Sequence, residues 1–345
     1  MRKGVSLLIV TALLFSTMLV FAVPTTTAAP AQGGKTILFI TGYGMGMPWT
    51  NITSWLTSQG HTVRNATTIN ATNLAGVDAL ILCSPYGAAG RAGFNSTGAP
   101  AILAAITTWW LTGSKFLWVS ADSDYYSVGV AGDWIPLNCS AILAAVGSPL
   151  RFEPMSVEDP KSNCGSAYRV AVNTTVTTGE AAAITAGVTN PVLFHGPTCL
   201  YALDAAGTPV ALENVTVANV FPIMRTGGSG KVLDGEPTHT GIIHVAGRTG
   251  SWVMMAGQKY AGLLGNSKII ASGASPYADY QCMYSNAYYG KVLDGALLCQ
   301  NAYKWGLTVE TVSIPPIPGF PLAAIALGLG LVLVPTIIFR RRRQH

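Results

Sequence analysis

Charged residues are scarce in this chain of 345 residues: they make up 10% of it, whereas about a quarter is usual for soluble domains. The formal net charge of +5 comes from the two ends, because Arg2, Lys3 and the arginines at 340–343 supply six of the 20 basic residues. The other 14 basic residues stand against 15 acidic ones, so the rest of the chain is nearly neutral. This balance argues against binding of nucleic acid.

Motifs for binding nucleotides and zinc are also missing. The stretch "ILFITGYGMGMPWTNITSWLTSQGHTV" at 37–63 has Gly42, Gly44 and Gly46 at alternate positions. A dinucleotide loop needs G-x-G-x-x-G with an acidic residue about 20 positions later, and a phosphate loop needs Lys followed by Ser or Thr. Neither pattern is present, and no C-x-x-C pair points to zinc. We therefore expect the glycines and Pro48 to form a tight strand-to-helix turn, with no bound nucleotide.

The six cysteines leave the disulfide question open. An even number permits disulfides in an exported protein, but six cysteines allow fifteen pairings. Cys83 ends an apolar run, so an inert buried thiol is the alternative for it. The cysteines are Cys83, Cys139, Cys164, Cys199, Cys282 and Cys299.

The amino-terminal residues have the pattern of a secretory signal peptide. Arg2 and Lys3 precede an apolar run from Val5 to Val23, and an A-x-A cleavage pattern lies at 29–31. We predict that residues 1–31 are the signal peptide. An uncleaved amino-terminal anchor is the alternative.

The carboxy-terminal residues have the pattern of a membrane anchor. A Pro-rich stalk at 313–321 leads into an apolar run at 322–339 and a basic tail at 340–345. Eighteen residues of helix rise about 27 Å, close to the roughly 30 Å hydrocarbon core of a bilayer. The arginines predict a cytoplasmic tail, which leaves residues 32–312 outside the cell. A buried core helix is the alternative.

The segment Pro318-Gly319-Phe320, with the apolar run and basic tail after it, resembles the PGF-type sorting tails of archaeal surface proteins. In that family a membrane-bound sortase-like enzyme removes the helix, and the mature protein is lipid-anchored. This sequence differs from the commoner pattern in having Pro321 directly after the motif.

Seven N-x-[ST] sequons agree with a location outside the cell and predict a glycoprotein. They begin at Asn51, Asn65, Asn70, Asn95, Asn138, Asn173 and Asn214.

Four apolar runs predict strands of a mostly parallel sheet, because they are continuous and do not alternate with polar residues. They are "TILFI" at 36–40, "ALILC" at 79–83, "FLWVS" at 116–120 and "KIIAS" at 268–272.

Helices are predicted between and after these strands. In "STGAPAILAAITTWWLTG" the apolar residues share one helical face and Gly113 is placed to end the helix. Others are expected in "CSAILAAVGS" and near 291–305, where Leu293, Leu297, Leu298 and Trp305 share a face. Alternating strands and helices predict an α/β domain with helices on both faces of the sheet.

Residues 150–262 contain short β-prone pieces separated by turn residues. We interpret them as a β-rich extension of the same domain, with a separate β subdomain as the alternative.

The order of these elements resembles the class I glutamine amidotransferase-like superfamily, which has a flavodoxin-like α/β fold. It is most similar to the non-catalytic branch found in archaeal surface proteins and intraflagellar-transport proteins. The resemblance covers most of residues 35–307. Catalytic members carry a cysteine nucleophile on the turn after the strand at 116–120, with a later histidine partnered by an acid. Here that turn reads Ala121-Asp122-Ser123, so the resemblance implies a degenerate catalytic site.

Polar and aromatic residues follow several of the predicted strands. In open α/β sheets, ligands bind beyond the carboxyl ends of the strands. Carboxylates beside tyrosines suit a sugar or a hard cation such as Ca²⁺, and Asp122 and Asp124 are candidates for holding such a cation. The alternative is that the two aspartates cap a helix and the tyrosines pack under loops. The candidate ligand-binding residues are Tyr43, Asp122, Ser123, Asp124, Tyr125, His195, Ser275, Tyr277 and Asp279.

The sequence thus predicts a membrane-tethered, glycosylated archaeal surface protein that binds a sugar, a cation or a protein partner. We expect no cofactor other than Ca²⁺, and no nucleotide or nucleic-acid partner. One alternative is an extracytoplasmic hydrolase or amidase that uses the turn at Asp122 and Ser123 together with His195. The second is a structural component of the cell envelope.

Overall fold

The structure, a computed structural model, describes residues 34–94, 98–125, 134–235, 240–260, 265–277 and 283–309. The predicted signal peptide, stalk, membrane helix and basic tail lie outside these residues, as do Asn95, Asp279 and Cys282. Over the described ranges, no helix is both long enough and apolar enough to span a bilayer.

Helices separate the strands in the first part of the chain, and short strands fill the middle. The helices are α1 Thr50–Ser58, α2 Ala71–Leu74, α3 Gly87–Gly93, α4 Gly98–Trp110, α5 Trp134–Ala145, α6 Ala181–Thr185 and α7 Gly295–Leu307. The strands are β1 Thr36–Ile40, β2 Thr62–Ala66, β3 Ala79–Leu82, β4 Phe116–Ser120, β5 Leu150–Phe152, β6 Ser156–Glu158, β7 Arg169–Val172, β8 Thr174–Thr175, β9 Val192–His195, β10 Leu200–Leu203, β11 Pro209–Val210, β12 Val220–Arg225, β13 Gly230–Leu233, β14 Thr249–Gly250, β15 Val253–Lys259, β16 Lys268–Ser272, β17 Ala287–Tyr288 and β18 Lys291–Val292.

An eight-stranded sheet organises the fold, in the order β2-β1-β3-β4-β16-β15-β12-β8. The first five strands run parallel, and the other three continue the sheet in antiparallel pairing. The four apolar runs of the sequence form β1, β3, β4 and β16, and nearly all of their side chains are buried. Burial of successive residues means that both faces of these strands are covered. The chain is therefore a mixed α/β protein.

The predicted apolar face is buried in α4, but only part of the predicted face is buried in α7. In α4, Ile102, Ile106 and Trp109 are buried, and Gly113 follows the helix with a positive φ of 77°. In α7, Leu298 is fully buried but Leu297 is 36% exposed. Successive helical residues point about 100° apart, and the face that packs inward is that of Leu298, so the prediction for Leu297 was wrong.

The middle of the chain, from β5 to β15, is built from short strands. Three of them, β8, β12 and β15, extend the main sheet, and the others form small sheets in the orders β11-β10-β5, β14-β13-β6 and β7-β9. Strand β15 pairs directly with β16. Buried residues of the short strands also belong to the same hydrophobic core as those of the parallel strands.

The glycine loop after β1 turns the chain in close contact with neighbouring backbone. Gly44 and Gly46 have φ angles of 75° and 72°, which favour glycine. A Cβ at Gly42 would collide with the carbonyl of Thr67, and one at Gly44 with the carbonyl of Tyr86. The loop is thus packed against the segments that follow β2 and β3.

Both ends of the described fold lie at the amino edge of the parallel strands. Lys35, just before β1, and Val309, just after α7, line one shallow depression together with Asp78 and Ser114. Asp78 precedes β3 and Ser114 precedes β4. Chain that continues beyond residue 309 therefore starts from this edge.

Candidate ligand-binding site

A cavity of about 340 Å³ lies at the opposite, carboxyl edge of the parallel strands. Its lining joins residues that follow β3 and β4 with residues from the short strands β6 and β9 and the start of β7. The lining residues are Tyr86, Asp122, Ser123, Tyr125, Ile135, Glu158, Tyr168, His195 and Gly196. Four predicted ligand-binding residues, Asp122, Ser123, Tyr125 and His195, therefore meet in one place.

The turn after β4 forms the floor of this cavity. The Oδ1 atom of Asp122 accepts a hydrogen bond from the Ser123 backbone N–H at 2.8 Å and lies 3.5 Å from Ser123 Oγ. The same N–H lies 2.9 Å from the carbonyl oxygen of Gly196. A Cβ at Gly196, whose φ is 52°, would be 3.1 Å from Asp122 Oδ1. The glycine thus lets the end of β9 approach the turn, which brings His195 beside Asp122 and Ser123.

Tyrosines form much of the cavity wall. The Tyr125 hydroxyl donates a hydrogen bond to Glu158 Oε1 at 3.3 Å. Burial, and next the Glu158 carboxylate, raise the pKa of Tyr125. The Tyr168 ring packs edge-to-face against His195, with ring centroids 5.4 Å apart. Tyr86, Tyr125 and Tyr168 are 39%, 47% and 38% exposed, so their rings are accessible to a bound molecule.

Three other predicted residues lie outside the cavity lining. Tyr43 has its hydroxyl 3.2 Å from the Ile69 backbone N–H, from which it accepts, and its ring packs on Phe94. Tyr277 is fully buried, and its hydroxyl donates to the Ile40 carbonyl at 2.7 Å. Ser275 is 6% exposed. These residues take the packing role that the alternative interpretation gave to the tyrosines.

Asp124 also points away from the cavity. It is fully buried, and its Oδ2 accepts a hydrogen bond from the Gly235 backbone N–H at 2.8 Å, which ties the turn after β4 to the end of β13. The predicted cation pair of Asp122 and Asp124 is therefore split between the cavity and the interior. Among the described residues, no group of three or more His, Cys, Asp or Glu side chains could hold a metal ion.

Sequence reasoning missed five lining residues of the cavity: Tyr86, Ile135, Glu158, Tyr168 and Gly196. Tyr86 follows β3 by a few residues, so the rule about carboxyl ends of strands could have identified it. Glu158 ends β6, and Tyr168 comes just before β7. These short strands reach the cavity only through tertiary packing, and no local pattern marks their residues.

A second polar cluster is buried in the β-rich middle. His244 Nδ1 lies 2.9 Å from Glu153 Oε1, and its Nε2 lies 3.2 Å from Glu213 Oε2. Cys199 Sγ is 3.7 Å from Nδ1, and the Trp252 ring packs edge-to-face on the imidazole. His244 is 6% exposed and Glu213 is partly buried, so most of the cluster lies in the interior.

The five described cysteines are all buried and form no disulfide with one another. Burial raises the pKa values of Cys139, Cys164, Cys199 and Cys299. A raised pKa keeps a thiol protonated and unreactive. None of these four thiols is therefore suited to act as a nucleophile.

No protein-family model matches the chain, and no curated protein matches it. Among solved structures, the mmIFT52 N-terminal domain is similar in fold, with a TM-score of 0.50 and 12% sequence identity. The match covers 80% of this chain and 99% of that domain. At this identity the similarity shows a shared fold and leaves function to be argued from the site.

Proposed function

We propose that this chain is a membrane-tethered, glycosylated surface protein whose α/β domain binds a small polar ligand, a sugar or a cation, in the cavity at the carboxyl edge of the sheet. The observation that carries the proposal is the convergence of Asp122, Ser123, Tyr125 and His195 on one cavity of about 340 Å³. That volume lies in the range of small-molecule sites, which are about 300–1,000 Å³.

The strand order supports a flavodoxin-like domain of the amidotransferase-like superfamily. The five parallel strands, numbered among themselves, follow the order 2-1-3-4-5, which is the flavodoxin-like order. In such sheets the ligand lies beyond the carboxyl ends of the strands. The cavity lies at that edge, on the turn where catalytic members would carry their cysteine.

The positions of the chain ends fit a membrane tether. Lys35 and Val309 lie together at the amino edge of the sheet, and the cavity lies at the carboxyl edge. A tether that continues from residue 309 would be attached to the domain at the edge opposite the cavity.

The test is a thermal-shift screen of the full chain in detergent against a panel of sugars, Ca²⁺ and small organic cations. A ligand present at 100 times its Kd stabilises a protein by about 2.7 kcal/mol, which moves the Tm of a domain this large by several degrees. We expect Asp122→Asn to reduce the shift to about half or less, since a tenfold loss of affinity lowers the stabilisation to about 1.4 kcal/mol.

Asp78→Asn is the matched control variant. Asp78 is a partly buried carboxylate like Asp122, and it too accepts one backbone N–H at 2.8 Å, from Thr36, but at the opposite edge of the sheet. It should keep the ligand-induced shift. Equal loss of the shift in both variants would contradict a site in this cavity.

A hydrolase is the second candidate, because Ser123, Asp122 and His195 line the same cavity. Turnover of ester or amide substrates that disappears in both Ser123→Ala and His195→Gln would favour it. Unchanged turnover in either variant would exclude this mechanism.

A further inference from the structure

The cavity carries two carboxylates, and its described lining has no lysine or arginine, with His195 as the one basic side chain among those residues. Asp122 and Glu158 supply the two carboxylates. A ligand entering this cavity therefore meets an excess of negative charge.

Lys231 and Arg169 are close in the fold to cavity residues but do not line the cavity. Lys231 is the cross-strand neighbour of Glu158 in the pairing of β6 with β13, but no ion pair joins these two described side chains. The Arg169 guanidinium lies 5.0 Å from the centroid of the Tyr168 ring and 4.8 Å from that of Tyr289. The raised pKa of Tyr125, caused first by burial and then by Glu158 and Asp124, agrees with an acidic environment.

Aromatic rings provide the second element of recognition. Tyr86, Tyr125 and Tyr168 all line the cavity and are partly exposed. The faces of such rings attract ammonium groups, with about 0.5–2 kcal/mol for each favourable contact. A metal ion gains little from aromatic faces, and the described residues lack a cluster of ligating groups for one.

From these features we infer that the ligand of the cavity is a small organic cation that carries a primary or quaternary ammonium group, held between the carboxylates of Asp122 and Glu158 and the tyrosine rings. This inference rests on the proposed function and selects one of its two ligand classes. The charge and the aromatic walls both favour an ammonium group, whereas a neutral sugar would use only the hydrogen-bonding capacity of the carboxylates.

The experiment is isothermal titration of the full chain in detergent with choline, 1,4-diaminobutane, and 3,3-dimethyl-1-butanol, the uncharged isostere of choline. A panel of neutral sugars is titrated in parallel. We expect at least one of the two cations to bind, with an affinity that falls as salt is raised, and the isostere to bind at least about tenfold more weakly.

Glu158→Gln and Asp122→Asn should each weaken binding of the cation about tenfold, and Asp78→Asn should leave it unchanged. Tyr168→Leu should weaken it without changing the salt dependence. Near-ultraviolet circular dichroism checks that each variant is folded, and two independent carboxylate variants keep the test valid if one of them does not fold.

Different results would contradict the inferred ammonium ligand and the proposed binding function. Binding of a sugar, or equal binding of choline and its isostere, with sensitivity to Asp122→Asn, would overturn the inference and leave the proposed function standing. Absence of binding by every cation, every sugar and Ca²⁺ would overturn both.

Discussion

Replacing His244 with leucine should destabilise the protein more than almost any other single change in the β-rich middle. Both ring nitrogens of His244 lie within hydrogen-bond reach of carboxylate oxygens, those of Glu153 and Glu213. Both nitrogens can donate only when the ring is protonated, and we therefore expect a buried imidazolium. The substitution removes this cation and leaves two carboxylates in the interior without it.

The size of the loss follows from how the carboxylates are held. Glu153 is fully buried and also accepts backbone N–H groups from Ile242, Ile243 and His244 at 2.7–3.0 Å. Removing one partner of a buried ion pair costs about 3–5 kcal/mol. At about 2–3 °C per kcal/mol for a large domain, the Tm should fall by roughly 6–15 °C.

The pH dependence gives an independent check. Burial lowers the pKa of His244, but its hydrogen bonds to the Glu153 and Glu213 carboxylates oppose this effect, and the pKa is raised well above its usual value of 6.5. A raised folded-state pKa gives stability that is complete below the unfolded-state pKa and is lost as pH rises towards the folded-state value. The contribution of His244 should therefore decline between pH 7 and pH 9, by at most about 1.4 kcal/mol per pH unit.

Thermal unfolding followed by tryptophan fluorescence at pH 6, 7, 8 and 9 measures both effects. The wild type should lose stability over this range, and His244→Leu should lose less because the titrating group is gone. The control is His61→Leu, since His61 is only partly buried and accepts a single backbone hydrogen bond, from Lys35, at 3.2 Å. A loss below about 1 kcal/mol, or the same pH slope in His244→Leu as in the wild type, would refute the buried imidazolium.

Three further predictions concern the fold and the surface. Gly273→Ala should cost about 1–3 kcal/mol or more, because a Cβ there collides with a neighbouring carbonyl, whereas Gly228→Ala, in open space, should be nearly neutral in urea unfolding. Lys268→Met should cost about 1–3 kcal/mol, because the buried ammonium group donates to two carbonyls at the end of α7, while Lys304→Met on the exposed side of that helix should change stability by less than about 0.5 kcal/mol. Glycopeptide mapping of protein from its native source should find Asn138 unmodified, because it is half-buried within α5, and a modified Asn138 would contradict this. The exposed sequons that should be occupied are Asn51, Asn65, Asn70, Asn173 and Asn214.

Four of the five parallel strands, β1, β3, β4 and β16, could be predicted from the sequence because strands buried on both faces are continuously apolar, whereas the edge strand β2 is partly exposed. A run such as "FLWVS" has no polar alternation, and β4 has every one of its residues buried. The sequence does not show that β15, β12 and β8 continue the same sheet in antiparallel pairing. The pairing of β15 with β16 places Met255 opposite Ser272, and nothing local in "SWVMMAG" distinguishes it from a strand of a separate sheet.

The site could be predicted in part, from which residues directly follow the predicted strands. The rule that ligands lie beyond the carboxyl ends of strands found Asp122, Ser123 and Tyr125 after β4. It also included Tyr277, which lies beyond β16 but points inward to the Ile40 carbonyl. The rule locates an edge, and only the packed structure decides which side chains at that edge face the cavity.

The geometry of the turn after β4 favours recognition over catalysis. An activated serine needs a close hydrogen bond to its base, about 2.6–3.2 Å between heavy atoms. Asp122 does not supply such a base, because its Oδ1 lies 3.5 Å from Ser123 Oγ and already accepts the Ser123 backbone N–H. That same N–H also faces the Gly196 carbonyl, so it does not point freely into the cavity as an oxyanion donor would. The turn therefore holds a carboxylate in a fixed position at the cavity floor, which suits the binding of a positively charged ligand better than attack on a carbonyl carbon.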